Sequence, residues 1–196
     1  MQRLQEFNMT INIDKIQLCR QVTKVLGYCI SSEGVTPDPD KLSAVHCAKP
    51  PTSLKKLRSF LGICNWFRRY VKNYARVAAP LTNLLKDNVR WDWTDECRVA
   101  FENLKAALTT PPILAQPDFS KEFAVRTDAS GFAIGAVLTQ MGMNGPMVIQ
   151  YASRTLNPLE QKYSATEREC LAIIWAVELF RSYLDGSKFT VCIHRC

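Results

Sequence analysis

The 196-residue chain is 47% hydrophobic and 22% charged, an ordinary globular composition that excludes disorder as its overall state and leaves room for one domain or two small ones. No apolar run approaches the ~20 residues that cross a bilayer, and Met1-Gln2-Arg3-Leu4-Gln5-Glu6 lacks a signal peptide's apolar stretch, so an intracellular chain with no membrane partner is expected. The net charge of +7 is uneven: no acidic residue falls between Asp40 and Asp87, while Lys41, Lys49, Lys55, Lys56, Arg58, Arg68, Arg69, Lys72, Arg76 and Lys86 all do, which points to a polyanion as the partner of that stretch.

In chain order, the first fifty residues read as short pieces: a helix end over 3–8, strand-like segments over 10–13, 16–19 and 24–31, and a turn at Ser32-Glu33-Gly34. Thr36-Pro37-Asp38-Pro39-Asp40 holds the chain extended before a helix over 41–48 with Asp40 as its N-cap, and Pro50-Pro51 ends it. Thr52 or Ser53 caps the next helix. There Leu54, Leu57, Leu61 and Cys64, with Phe60, Ile63, Phe67 and Val71 on the adjoining stripe, follow three-and-four spacing, so one face packs and the other is basic. Residues 73–79 read as a loop and 80–85 as a short helix with Pro80 in its first turn. Thr94 is a good N-cap for a helix through Leu108, with Asp95 and Glu96 placed against its dipole. Pro111-Pro112 closes that helix, and 111–120 reads as a linker.

From Lys121 the pattern changes to a meander: strands over 122–127, 133–139 and 147–152, with a turn over 142–146. A single helix over 165–183 follows, opened by a Ser164/Glu167 capping box and stopped near Gly186, and 189–193 reads as a fourth strand. The eight cysteines are scattered without a CxxC pair. Free buried thiols are expected, because Cys192-Ile193-His194-Arg195-Cys196 is only half a zinc site.

Two constellations carry chemistry. Asp128, in Thr127-Asp128-Ala129-Ser130-Gly131, sits where a strand leaves its sheet, so its carboxylate can point off the edge; the same residues also make an ordinary turn. On the following helix Glu167 belongs to the cap, whereas Glu169 projects beside the packing face, where a carboxylate is costly without a purpose. A strand-end Asp with a first-turn helical Glu suits magnesium, which prefers hard oxygen ligands. Glu169 is the first choice and Glu167 the second. The other constellation is Lys55, Lys56, Arg58, Arg68, Arg69 and Lys72, interleaved with Trp66, Phe67 and Tyr70. It reads either as a solvated helix face or as a grip on duplex phosphates and sugars.

Several motifs together resemble the Pol polyprotein of gypsy-class LTR retrotransposons. Leu57-Arg58-Ser59-Phe60-Leu61-Gly62 with Asn65-Trp66-Phe67-Arg68-Arg69-Tyr70 is similar to the reverse-transcriptase thumb. Ala79-Pro80-Leu81-Thr82-Asn83-Leu84-Leu85 and Trp91-Asp92-Trp93-Thr94 are similar to the tether that follows it. The stretches around Asp128 and Glu169, with Tyr183-Leu184-Asp185-Gly186, resemble the start of ribonuclease H, and Val25-Leu26-Gly27-Tyr28 with Asp38-Pro39-Asp40-Lys41 resembles the exit from the palm. The resemblance implies an α+β chain: a palm remnant (1–50), a helical thumb and tether (51–110), a linker (111–120) and an incomplete ribonuclease H-like domain (121–196). It implies magnesium at Asp128 and Glu169, the first two catalytic carboxylates. It implies contact of Lys55, Lys56, Arg58, Trp66, Arg68, Arg69, Tyr70 and Lys72 with an RNA–DNA hybrid or primer–template duplex. Other Pol chains would be further partners, in a cytoplasmic retroelement particle or the nucleus.

The departures matter equally. No Asp-Asp dipeptide occurs, so DNA synthesis by this chain alone is not expected, and His194 stands where the family pattern has its third carboxylate, as though the reading frame had changed. Two magnesium ions bring four positive charges, against two negative ones from Asp128 and Glu169, so metal binding should be weak. Three uses compete: a hybrid-cutting enzyme, a non-catalytic duplex-binding relic, and a poorly folded pseudogene product.

Overall fold

The computed structural model describes residues 2–10, 12, 16, 19–87 and 89–193. A short helix α1 (Gln2–Glu6) precedes a three-stranded antiparallel sheet of β1 (Val22–Val25), β2 (Tyr28–Ser31) and β3 (Gly34–Pro37). The segment expected to be one strand over 24–31 is a hairpin. Val25 pairs with Tyr28, and Leu26 and Gly27 between them both have positive φ (50° and 84°), the two-residue turn that matches strand twist. Thr10, Asn12, Ile16 and Cys19 lie outside any strand, and the other residues read as strands over 10–13 and 16–19, like His194 and Cys196, fall outside the described residues.

Helix α2 (Pro39–His46) is capped by Asp38, not Asp40: the Asp40 N–H donates to Asp38 Oδ1 at 3.1 Å. Pro39 takes the first helical position because its fixed φ suits it and its missing N–H is not needed there. Helix α3 (Leu54–Trp66), capped by Ser53, leads through a 3₁₀ turn (Arg68–Tyr70) to α4 (Tyr74–Asn83) and, after Thr94, to α5 (Asp95–Thr109). The loop expected over 73–79 is helical, and Pro80 lies inside α4. The lost hydrogen bond to the Arg76 carbonyl is tolerated because Tyr74, Ala78 and Leu81 are buried at four- and three-residue spacing.

One core joins these helices, running from Val45 to Leu114 and taking in Tyr28 and Leu42 at its edge, so packing crosses the expected division at residue 50. The stretch 111–120 is stapled to both sheets: Leu114 bridges Val35, and the Ala115 N–H donates to the Val148 carbonyl at 2.8 Å. No helix among the described residues is long and apolar enough to cross a membrane.

The second sheet holds β4 (Phe123–Ala129), β5 (Ala133–Gly142), β6 (Gly145–Thr155) and β7 (Phe189–Ile193) in the order β6-β5-β4-β7, with β7 parallel to β4. Gly142 pairs with Gly145, so the turn is Met143-Asn144 rather than the whole of 142–146. The expected single helix is α6 (Ala165–Leu179) followed by α7 (Arg181–Leu184). It breaks at Phe180, which is fully buried with Leu184 against the strands.

Candidate nucleic-acid interface and carboxylate pair

Helix α3 divides its faces as the spacing requires. Leu57, Phe60, Leu61 and Cys64 are buried, and burial pushes the Cys64 thiol up to about 12. Lys55, Lys56, Arg58 and Trp66 are exposed on the other side, with Arg68 and Lys72 beyond. Trp66 is 57% exposed, and nothing lies within 4 Å of where a side chain on Gly62 would begin. A glycine inside a helix costs roughly 1 kcal/mol relative to alanine. With open space above it and an exposed indole one turn on, it lets a partner approach the backbone closely.

Tyr70 does not belong to this surface. It is 2% exposed, its ring stacks on Tyr28 at 6.2 Å, and burial holds its phenol above the ordinary range. Phe67 is likewise buried. The three-and-four periodicity that exposes Trp66 turns the next aromatics inward, and Arg69 follows them halfway, with its Nε buried and unpartnered among the described residues.

Along β4, Phe123, Val125 and Thr127 face α6 and are buried, whereas Asp128 has the opposite parity. It is half-buried, paired in register with Gly135, which pairs in turn with Ser153. On α6, Glu167 completes the capping box: the Ser164 N–H donates to Glu167 Oε2 at 2.7 Å, which holds its carboxyl below its ordinary value. Glu169 is half-buried and lies three and seven residues before Ala172 and Ala176, the buried positions facing the sheet. Ala172 packs with Ile134 and Ala129, so Glu169, one turn earlier, lies toward the Ala129 end on the face that α6 covers, whereas Asp128 has the opposite parity. Neither carboxylate has a hydrogen-bond or ion-pair partner among the described residues. Nearby, Arg154 clamps Glu160 through two hydrogen bonds of 2.7 and 2.9 Å, and the Asn157 N–H donates to the same carboxylate at 2.8 Å.

The helical half reaches the Asp128 end directly. Asn73, in the left-handed region at φ 55°, starts α4 without a side-chain cap. The Ala75 N–H instead donates to Ser153 Oγ on β6 at 2.8 Å. Asn73 Oδ1 lies 3.0 Å from where a side chain on Gly135 would begin. Asn73, Arg76, Asp128, Ser130, Gly135 and Ser153 thus line one small recess. No local signal in the sequence marks this meeting, since 73–79 reads as a loop and Arg76 only as one of the cations of the basic stretch.

A family model described as an RNase H-like domain found in reverse transcriptase matches residues 93–191. The retrovirus-related Pol polyprotein from transposon 297 of Drosophila melanogaster is 40% identical over 190 residues, 96% of this chain and 18% of that protein. The transposon Tf2-3 polyprotein of Schizosaccharomyces pombe is 37% identical over 188 residues, 95% of this chain and 14% of that protein. The chain therefore spans less than a fifth of the length of the curated relatives it matches. The foamy viral protease-reverse transcriptase solved in complex with RNA/DNA hybrid superposes with a TM-score of 0.77 at 24% identity, covering 92% of this chain and 25% of that one.

Proposed function

This chain belongs to the RNase H-like family found in reverse transcriptases, and on that premise we propose that, within an LTR-retrotransposon Pol protein, it grips an RNA–DNA hybrid through α3 and presents it to Asp128 and Glu169. The observation that carries this reading is the exposed stripe of Lys55, Arg58, Gly62 and Trp66, which combines cations, an indole and an unobstructed backbone on one helix face. Cations meet phosphates there while the indole and the bare glycine meet sugars, a chemistry that follows duplex shape rather than sequence.

The carboxylate pair fits magnesium in kind and falls short in number. Both residues offer unpartnered hard oxygens, but no group of three or more His, Cys, Asp or Glu suited to holding a metal gathers among the described residues, and two carboxylates leave two magnesium ions undercharged. That shortfall favours binding over cutting for the 196 residues by themselves.

Anisotropy of a labelled RNA–DNA hybrid, read beside its cleavage in magnesium, tests the proposal. Binding should be tight at low salt and weaken steeply as salt rises, and Arg68→Ala with Arg69→Ala should lower affinity and flatten the salt dependence. Cleavage should be slow at most, with whatever remains abolished by Asp128→Asn. A chain that fails to bind hybrid at low salt would overturn the reading, and cleavage at enzyme-like rates would overturn the shortfall argument.

A further inference from the structure

We propose that Arg76 of α4 is a substrate-binding residue of the Asp128 cleft, holding a phosphate of the strand that lies there, with Arg168 of α6 as its counterpart across the Asp128–Gly131 turn. The inference rests on the hybrid-binding reading and adds a second, separate contact to it.

Arg76 comes from the helical half, yet it lines the same recess as Asp128 and Ser130. Its position there is fixed. The Ser153 hydroxyl takes the Ala75 N–H, Asn73 rests against Gly135, and Tyr74 and Ala78 on either side of Arg76 are buried in the core. The guanidinium is nevertheless exposed and makes no hydrogen bond or ion pair among the described residues, although it also borders a groove next to Asp95 and Glu96. Asp95 is taken by Arg98. A cation held beside an unpaired carboxylate, and bonded to neither that one nor the acidic pair behind it, has its donors free for an anion from solution.

Arg168 approaches from the opposite face of the sheet. Its Nη1 lies 3.1 Å from where a side chain on Gly131 would begin, so glycine leaves the guanidinium room over the turn. The recess itself is about 20 Å³, room for roughly one water and too small for a phosphoryl group. A phosphate would therefore lie across its mouth, against Arg76, with Asp128 beneath. Arg76 at the lip also offsets the repulsion between Asp128 and an incoming phosphate, with Arg168 adding positive charge beyond the turn.

The test is hybrid anisotropy across a salt series and a series of hybrid lengths, for the unmodified chain, Arg76→Ala, Arg76→Lys and the Arg68→Ala/Arg69→Ala double variant. The Arg76→Ala change should reduce the log–log salt slope by about 0.9, the loss of one phosphate contact, and only on hybrids long enough to reach from α3 to the sheet. Arg76→Lys should restore the slope, and the melting temperature should stay nearly unchanged because the guanidinium makes no hydrogen bond or ion pair among the described residues. The double variant should weaken binding at every length. If the chain binds hybrid but Arg76→Ala leaves the slope unchanged, or alters it equally on the shortest hybrids, the assignment to the cleft is wrong while the hybrid-binding reading survives. If the chain binds no hybrid at all, both fall together.

Discussion

The two halves of the molecule bury their apolar residues on different scales. Among the described residues, eighteen side chains from Val45 to Leu114 form one continuous cluster, whereas the sheet half divides its interior into a cluster of eight under the strands and another of three at the Ala129 end. The basic face of α3 is therefore backed by the larger cluster, and the Ala129 end of the sheet by the smallest one. Regions with few buried contacts open at lower free energy. Docking α4 onto the sheet lends the thin end some of the rigidity it lacks, through Ala75–Ser153 and Asn73–Gly135.

Core truncation breaks the comparison most directly. Leu104 is fully buried in the larger cluster and Leu156 is buried in the three-member one, and of about 2–5 kcal/mol for Leu→Ala, Leu104→Ala should fall toward the upper end and Leu156→Ala toward the lower, since the same atoms are removed and only their surroundings differ. Urea unfolding measures both, and equal losses would mean that the halves are not unequal in packing. The junction should be next in sensitivity. Gly34 has φ 146°, and a side chain there would begin 2.4 Å from the Leu114 carbonyl. Gly34→Ala should thus disrupt the Val35–Leu114 bridge at a loss of about 1–3 kcal/mol, seen as a lower melting temperature and faster hydrogen exchange at the Val35 amide.

The smallest expected effect is a titration at the thin end. Arg154, and then the Asn157 N–H, hold the Glu160 carboxyl down to about 2 from its ordinary 4.5. Because the folded-state value is depressed, its stabilisation is fully present above about 4.5 and fades as pH falls toward 2. Glu160→Gln should accordingly be less stable than the unmodified chain near neutrality, with the gap closing over that window. A gap independent of pH would remove the ion pair from the account.

Most of the fold was legible because its signals are local. Ser53, Thr94 and the Ser164/Glu167 box cap the helices that the sequence assigned to them, and the change of pattern at Lys121 marked the strands of the larger sheet. Errors arose where a local rule met a stronger non-local one. Proline suggested a helix start at 80, but burial of Tyr74, Ala78 and Leu81 carried α4 through it. Tyr70 looked like part of an aromatic grip, and core packing turned it inward.

The sequence by itself determined most of the helix caps and which face of α3 is charged, since periodicity, capping and charge are properties of neighbours along the chain. Only the tertiary structure decided that Arg76 meets Asp128. Their juxtaposition depends on how two separately formed surfaces dock, through one hydroxyl on β6 and one glycine on β5, and no spacing along the chain encodes it.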